Sequence, residues 1–149
     1  MGEDDCRSRA GQIRTLVVDD SPVALRATRD FLASVKGIDV VGNATNGKDA
    51  LALTDTLDPD LIVMDVQMPG MSGLDVLARL RQRGTRAKVI MVTAYFAVEL
   101  REACVASGAV SVIQKEKLIE EFETLVQKSF PDVAKPATPP KGVNSPDPT

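Results

Sequence analysis

Five short apolar runs punctuate the chain: "TLVVDD" (15–20), "IDVVG" (38–42), "LIVMD" (61–65), "KVIMVTA" (88–94) and "AVSVIQK" (109–115). Within each, apolar residues follow one another instead of alternating with polar ones, the mark of strands covered on both faces. Stretches of helical period lie between them. Ser21 and Pro22 supply an N-cap and a first helical residue, with Ala24, Phe31, Leu32 and Val35 predicted on one face. Residues 46–57 place Ala50, Leu53 and Leu57 on one stripe before "DPD" stops the helix. Further helices are predicted from about Ser72 to Arg81, over 98–108 with Gly108 closing it, and from after Lys115 to about Lys128. Strand then helix, repeated five times, predicts an α/β fold: a doubly wound five-stranded parallel sheet with five helices.

This pattern is confined to residues 12–129, which predicts one domain there, after a flexible segment over 1–11. Residues 130–149 differ in kind. They hold six of the nine prolines and few large apolar residues, so a Pro-rich disordered tail is expected. No second block of periodicity follows it, so an output domain is not expected.

Composition narrows the function classes. A formal charge of -3 lacks the basic footprint of a nucleic-acid binder, so no direct nucleic-acid partner is expected. No apolar run reaches the length of a membrane span. The start, "MGEDDCRSRA", is too acidic for a secretory signal, and Cys6 stands where myristoylation wants Ser or Thr. Cys6 and Cys104 form neither a disulfide framework nor a metal cluster, which makes a reducing cytoplasm the default location. The absence of histidine excludes Ser-His and Cys-His catalytic pairs, a histidine-ligated zinc and a phosphohistidine donor.

The residues that could carry chemistry cluster at strand ends. Asp19 and Asp20 end the first predicted strand, Asp65 the third, Thr93 the fourth and Lys115 the fifth. Each has an ordinary structural reading: acids favour a helix start, a threonine caps, a lysine meets water. Their common position at the carboxyl edge of an open parallel sheet is where ligands bind in such folds. Three crowded carboxylates resist ionisation unless a cation or lysine offsets them. Oxygen donors without His or Cys select a hard cation, and Mg²⁺ binds through one or two carboxylates, waters and a phosphate.

The segments "VVDDSP" (17–22), "DLIVMDVQMPGMSGLDVL" (60–77), "VIMVTA" (89–94) and "VIQK" (112–115) resemble the receiver domain of two-component response regulators, in order and in spacing, over roughly residues 12–128. The resemblance implies a flavodoxin-like strand order, 2-1-3-4-5. It implies that Asp65 is the phosphoacceptor, attacking the phosphohistidine of a sensor kinase or phosphotransfer protein. Asp19, Asp20, Asp65 and the backbone carbonyl of Gln67 would hold Mg²⁺, which neutralises the phosphoryl oxygens. Lys115 would pair with another oxygen, and Thr93 would carry its hydroxyl to the phosphoryl group. A downstream protein is then expected on the face built by helix 98–108, strand 109–115 and the last helix, with Leu100, Ala103 and Cys104 as contact candidates. Such a chain phosphorylates and dephosphorylates itself and is not a turnover enzyme.

The sequence departs from the family pattern in three places. Glu116 follows Lys115 where many receivers place proline; with "VVGNATNGKDAL" (40–51) it resembles receivers joined to helix-turn-helix domains. Val112 stands where many have a switch tyrosine or phenylalanine. Gln67 and Tyr95, two residues beyond Asp65 and Thr93, replace smaller or charged residues and are expected to flank the path of hydrolytic water and modulate the phosphorylated lifetime. The alternatives are weaker. A haloacid-dehalogenase-like phosphatase needs D-x-D, and Gln67 takes the place of its second acid. Neither G-x-G-x-x-G nor a P-loop is present for a nucleotide fold. An inert receiver would not need all of Asp19, Asp20, Asp65, Thr93 and Lys115, while an excised receiver of a larger regulator remains compatible with every motif.

Overall fold

The computed structural model describes residues 12–131; the expectations for 1–11 and for the tail beyond 131 lie outside that range. In chain order the elements are β1 (Ile13–Val18), α1 (Pro22–Ala33), β2 (Ile38–Ala44), α2 (Gly47–Leu57), β3 (Leu61–Asp65), α3 (Gly73–Gln82), β4 (Lys88–Thr93), α4 (Val98–Ala106), β5 (Ser111–Gln114) and α5 (Leu118–Ser129). A 3-10 turn, Lys115–Lys117, joins β5 to α5. All strand pairs are parallel, in the order β2-β1-β3-β4-β5. The fold is therefore the doubly wound, flavodoxin-like sheet with five helices.

Side chains along a strand point alternately to opposite faces, so a continuous apolar strand feeds two cores at once. On one face Leu16, Val18, Ile62, Met64, Val89, Met91 and Val112 pack against residues of α2, α3 and α4, among them Ala50, Leu51, Val76, Leu77, Leu80 and Cys104. On the other, Ile13, Val17, Leu61, Val63, Ile90, Val92 and Ile113 meet Leu25 and Leu32 of α1 and Leu118, Phe122 and Val126 of α5. Phe31 and Phe122 meet edge to face, with ring centroids 6.0 Å apart.

Local chemistry fixes the helix starts near the carboxyl edge. Ser21 accepts from Ala24 N–H, with Pro22 entering α1, and Asn46 accepts from Asp49 N–H at the start of α2. At α3, Ser72 and Asp75 form a reciprocal capping box, each accepting from the other's backbone N–H at 3.2 Å. Asp58, left-handed at φ 47°, ends α2.

Several boundaries and faces differ from expectation. β1 covers 13–18, so Asp19 and Asp20 lie just past the strand instead of within it. β5 is shorter than 109–115, and Lys115 opens the 3-10 turn. Leu25, not Ala24, is the buried residue in the first turn of α1, and Ala50 is joined by Leu51 and Thr54 on the buried stripe of α2, where Leu53 and Leu57 are only partly buried. Helix α4 stops at Ala106, short of Gly108, which turns the chain at φ 112° into β5.

The opposite edge of the sheet carries an acid of purely structural character. Asp60, just before β3, accepts from Arg14 N–H at 3.0 Å and from Arg86 at 2.9 Å. Two donors from other elements fix its carboxylate and tie the start of β3 to β1 and β4.

Candidate functional site

Asp65 closes β3 opposite Val92 in the sheet register, and Thr93 lies one residue beyond that pair, opposite Gln114. Lys115 follows Gln114 directly. The parallel register thus delivers Asp65, Thr93 and Lys115 to one edge, where the turn after β1 adds Asp19 and Asp20. Asp19 and Asp65 are buried, 4% and 6% exposed, and Asp20 is half-buried. One oxygen from each of the three acids falls within 4.8 Å of the others.

Two carboxylates are held in the same way. The Ser21 N–H donates to Asp19 Oδ1 at 2.9 Å, and the Gln67 N–H donates to Asp65 Oδ1 at 3.1 Å. In each case the chain two residues on turns back to fix one oxygen, leaving Oδ2 for other partners. Lys115 Nζ reaches both, Asp19 Oδ2 at 3.1 Å and Asp65 Oδ2 at 3.3 Å. These two backbone donors and the double pairing of Lys115 were not foreseen in the sequence; Ser and Gln two residues after an acid give no visible signal of an acid-to-N–H turn.

Burial pushes the Asp65 carboxyl above the ordinary carboxylate range; the Gln67 N–H and the Lys115 charge pull it down, and Asp19 raises it again. Burial depresses Lys115, but the hydrogen bond to Asp19 and the charges of both acids outweigh it, and the ammonium is held above its usual range. One lysine therefore balances part of a three-carboxylate cluster. An oxygen-only donor set with uncompensated negative charge fits a hard divalent cation.

Thr93 is fully buried, and its hydroxyl accepts from Tyr95 N–H at 3.1 Å while lying 3.3 Å from the Tyr95 carbonyl, to which it donates. The side chains of Gln67 and Tyr95 are exposed at the rim, the tyrosine 75%. Among the contact candidates on α4, Cys104 is fully buried and belongs to the core, Leu100 packs against that core, and Ala103 alone is exposed. The large exposed apolar residues of this region are Tyr95, Phe96, Val98 and Val105, with Ile119 on α5. A groove of about 350 Å³ runs between Phe96 and Arg101 on one side, Ser111, Val112 and Gln114 of β5, and Lys117 and Glu121 on the other.

Comparison with known proteins agrees with this geometry. A family model described as the response regulator receiver domain matches residues 15–127. The chain is 40% identical over 123 residues to protein-glutamate methylesterase/protein-glutamine glutaminase 5 of Myxococcus xanthus, covering 78% of this chain and 35% of that protein. It is 33% identical over 131 residues to the positive alginate biosynthesis regulatory protein of Pseudomonas aeruginosa, covering 86% of this chain and 53% of the relative. The chain thus spans between a third and about half the length of these curated relatives. Among solved structures, the response regulator domain of Thermotoga maritima CheB superposes with a TM-score of 0.71 at 29% identity, covering 78% of this chain and 95% of that one. A DNA-binding response regulator of the LuxR family from Staphylococcus aureus gives 0.72 at 28% identity, covering 78% and 97%.

Proposed function

The chain belongs to the response regulator receiver domain family, and from that premise we propose that it takes a phosphoryl group onto Asp65 and signals by a phosphorylation-dependent change in a protein-binding face. The observation that carries this reading is the cluster itself: a buried strand-end carboxylate, one oxygen pinned by a backbone N–H, the other facing a lysine, with two further acids alongside.

The residues divide the work by chemistry. Asp65 Oδ2 is the nucleophile: it forms the new bond to phosphorus as the bond to the donor's imidazole nitrogen breaks, leaving an acyl phosphate. The Gln67 N–H keeps the carboxylate from rotating, which holds it near attack geometry. Lys115, at 3.3 Å from Asp65 Oδ2, offers its ammonium to the oxygen charge that grows during transfer. Asp19, Asp20 and Asp65, with the Gln67 carbonyl, would hold Mg²⁺, whose charge neutralises phosphoryl oxygens. The Thr93 hydroxyl is a donor for a remaining phosphoryl oxygen.

The donor is a sensor histidine kinase or phosphotransfer protein, met in the cytoplasm. The recipient of the signal is a protein bound at the α4–β5–α5 face, where the groove and exposed Phe96, Val98 and Val105 lie. The chain acts as a receiver and not as a turnover enzyme. Its relatives, of which it spans a third to a half, support a second reading in which the same stretch is the receiver of a larger regulator; the Asp65 chemistry is common to both.

Incubation with acetyl phosphate and Mg²⁺, followed by intact-mass and peptide mass spectrometry, tests the reading. A single phosphoryl adduct on Asp65 is expected, and its absence under conditions that load a control receiver overturns the proposal. Removing a half-buried oxygen ligand by Asp20→Ala should weaken Mg²⁺ binding at least about tenfold, the lower end of what loss of even an outer-sphere partner costs. Unchanged affinity in a magnesium titration would contradict the role of Asp20. Partner binding mapped by crosslinking should fall on α4, β5 and α5; protection confined to residues 21–57 would contradict that assignment.

The lifetime of the adduct gives another expected result. Hydrolysis requires water in line with the bond to Asp65, and Tyr95, 75% exposed and out of the core, has its ring available to cover that approach. Tyr95→Ala should shorten the lifetime about tenfold, which is about 1.4 kcal/mol of barrier, without changing the circular dichroism spectrum. Dephosphorylation equal to or slower than the parent would reject the shielding role.

A further inference from the structure

The buried stripe of α1 carries one polar residue. Leu25, Thr28 and Leu32 follow at steps of three and four, the spacing of a single helix face; both leucines are buried and Thr28 is half-buried. Valine has the same shape and would satisfy packing alone. A helical threonine can turn its hydroxyl back onto the carbonyl one turn before it. Thr54 and Thr56 on α2 do so, donating to Ala50 O at 2.7 Å and Ala52 O at 3.0 Å. Thr28 makes no such bond to Ala24, and its hydroxyl has no hydrogen-bond partner among the described residues.

Thr28 instead lines a small cavity between α1 and the carboxyl ends of the central strands. Its other walls are Asp19, Asp65 and valines of β1, β3 and β4, and its volume is about 10 Å³, room for a single water. An ionised carboxylate accepts about four hydrogen bonds. Asp19 receives Ser21 N–H and Lys115, and Asp65 receives Gln67 N–H and Lys115, so both keep acceptor capacity. The valines have no proton to offer. Of the side chains around the cavity, only Thr28 carries a donor.

Resting on the phosphoacceptor reading of Asp65, we propose that Thr28 is a positioning residue for the nucleophile, acting through one water held in this cavity. The Thr28 hydroxyl donates to the water oxygen, and the two water protons go to one oxygen of Asp19 and one of Asp65. Three hydrogen bonds are the usual complement of a buried water. The bridge sets donated protons between two carboxylates that repel each other, adding to what Lys115 supplies. It also ties Asp65 through the water to α1, which narrows the rotation of the attacking carboxylate. A methyl in place of the hydroxyl leaves the water no anchor on the helix.

Thr28→Val keeps the shape and Thr28→Ser keeps the hydroxyl, so stability and loading should move in opposite directions. In urea melts the valine variant should be at least as stable as the parent and the serine variant less stable. Loading by acetyl phosphate at saturating Mg²⁺ should show the reverse: a maximal rate about fivefold lower for valine, the scale of one lost hydrogen bond, and near the parent for serine. The acetyl phosphate concentration at half-maximal rate should not change, because orientation and not donor binding is lost. Crystals grown with a chelator, in which a solvent peak is water and not a cation, should show one peak within hydrogen-bond distance of Thr28 Oγ1, Asp19 and Asp65. That peak should vanish in Thr28→Val. If the parent takes no adduct, the Asp65 reading itself fails and the positioning role falls with it. If the adduct forms but the parent cavity is dry, or valine loads at the parent rate, or serine loads as slowly as valine, the Asp65 reading stands and the role of Thr28 is overturned.

Discussion

Replacing Asp65 with asparagine is expected to abolish the phosphoryl adduct while raising the stability of the fold at neutral pH. The amide is nearly isosteric and still accepts from the Gln67 N–H, so the turn after β3 survives. It cannot act as a carboxylate nucleophile. The stability gain follows from the titration of the parent. Burial, with Asp19 beside it, holds the Asp65 carboxyl above the ordinary range despite the opposing Gln67 N–H and Lys115. A group whose pKa is raised on folding favours the folded state below its unfolded pKa, and that contribution is lost as pH rises through the folded value. Above that value the ionised carboxylate opposes folding, and the neutral amide does not. The advantage of Asp65→Asn over the parent in urea melts should therefore grow as pH rises through the Asp65 titration and shrink in acid. Lys115 keeps Asp19 as a partner at 3.1 Å in the variant, which preserves the remaining ion pair. A full-stoichiometry adduct on the variant would remove Asp65 from its role, and an advantage that grows toward acid would contradict the assigned direction.

Strand β3 was legible to the residue because Leu61–Met64 are four consecutive apolar positions ended by one acid, and both of its faces are covered. The meeting of Asp65, Thr93 and Lys115 was legible for the same reason: parallel strands end at one edge, so residues at strand ends meet whatever their separation in the chain. What remained hidden depends on contacts between elements. Asp19 leaves the strand because Ser21 N–H turns back onto its side chain, an arrangement that "DDSP" permits without requiring. Leu25 faces the core in place of Ala24 because the phase of a short helix is set by the sheet face it packs on, the one that carries Val17 and Val63, and not by its own period. Cys104 reads as a surface residue on a weakly amphipathic helix, yet it lies in the core of the α2, α3 and α4 face. Asp60 and Asp65 bracket the same strand and look alike in the sequence. Arg14 and Arg86 make the first a structural clamp, and only the fold reveals that difference.

Gly73→Ala is the substitution expected to damage the site most without touching a reactive group. Gly73 is the first residue of α3, and its N–H donates to Val66 O at 2.7 Å, docking the helix against the end of β3. A Cβ there would overlap the main-chain oxygen of Asp65, with Met91 Cε at 2.7 Å and Val66 Cα at 2.9 Å. Two of these three obstacles are backbone. The methionine tip can swing aside, but the Asp65–Val66 chain can yield only by moving the strand end that carries the nucleophile. Overpacking of this kind costs about 1–3 kcal/mol. Displacing a reacting group by about 1 Å can cost on the order of a hundredfold in rate, so phosphorylation should slow about ten- to a hundredfold even where the variant remains folded. Gly47→Ala separates crowding from site damage. Its Cβ would approach Val76 Cγ2 at 2.8 Å and Met71 Sδ at 2.9 Å, side-chain atoms and not the Asp65–Val66 main chain, so it should lose less stability and keep a near-parent rate. Urea melts and single-turnover loading with acetyl phosphate measure both effects. Equal rates for the Gly73→Ala variant and the parent would show that the end of β3 absorbs the added methyl without moving Asp65, and would detach the geometry of the nucleophile from the packing of α3.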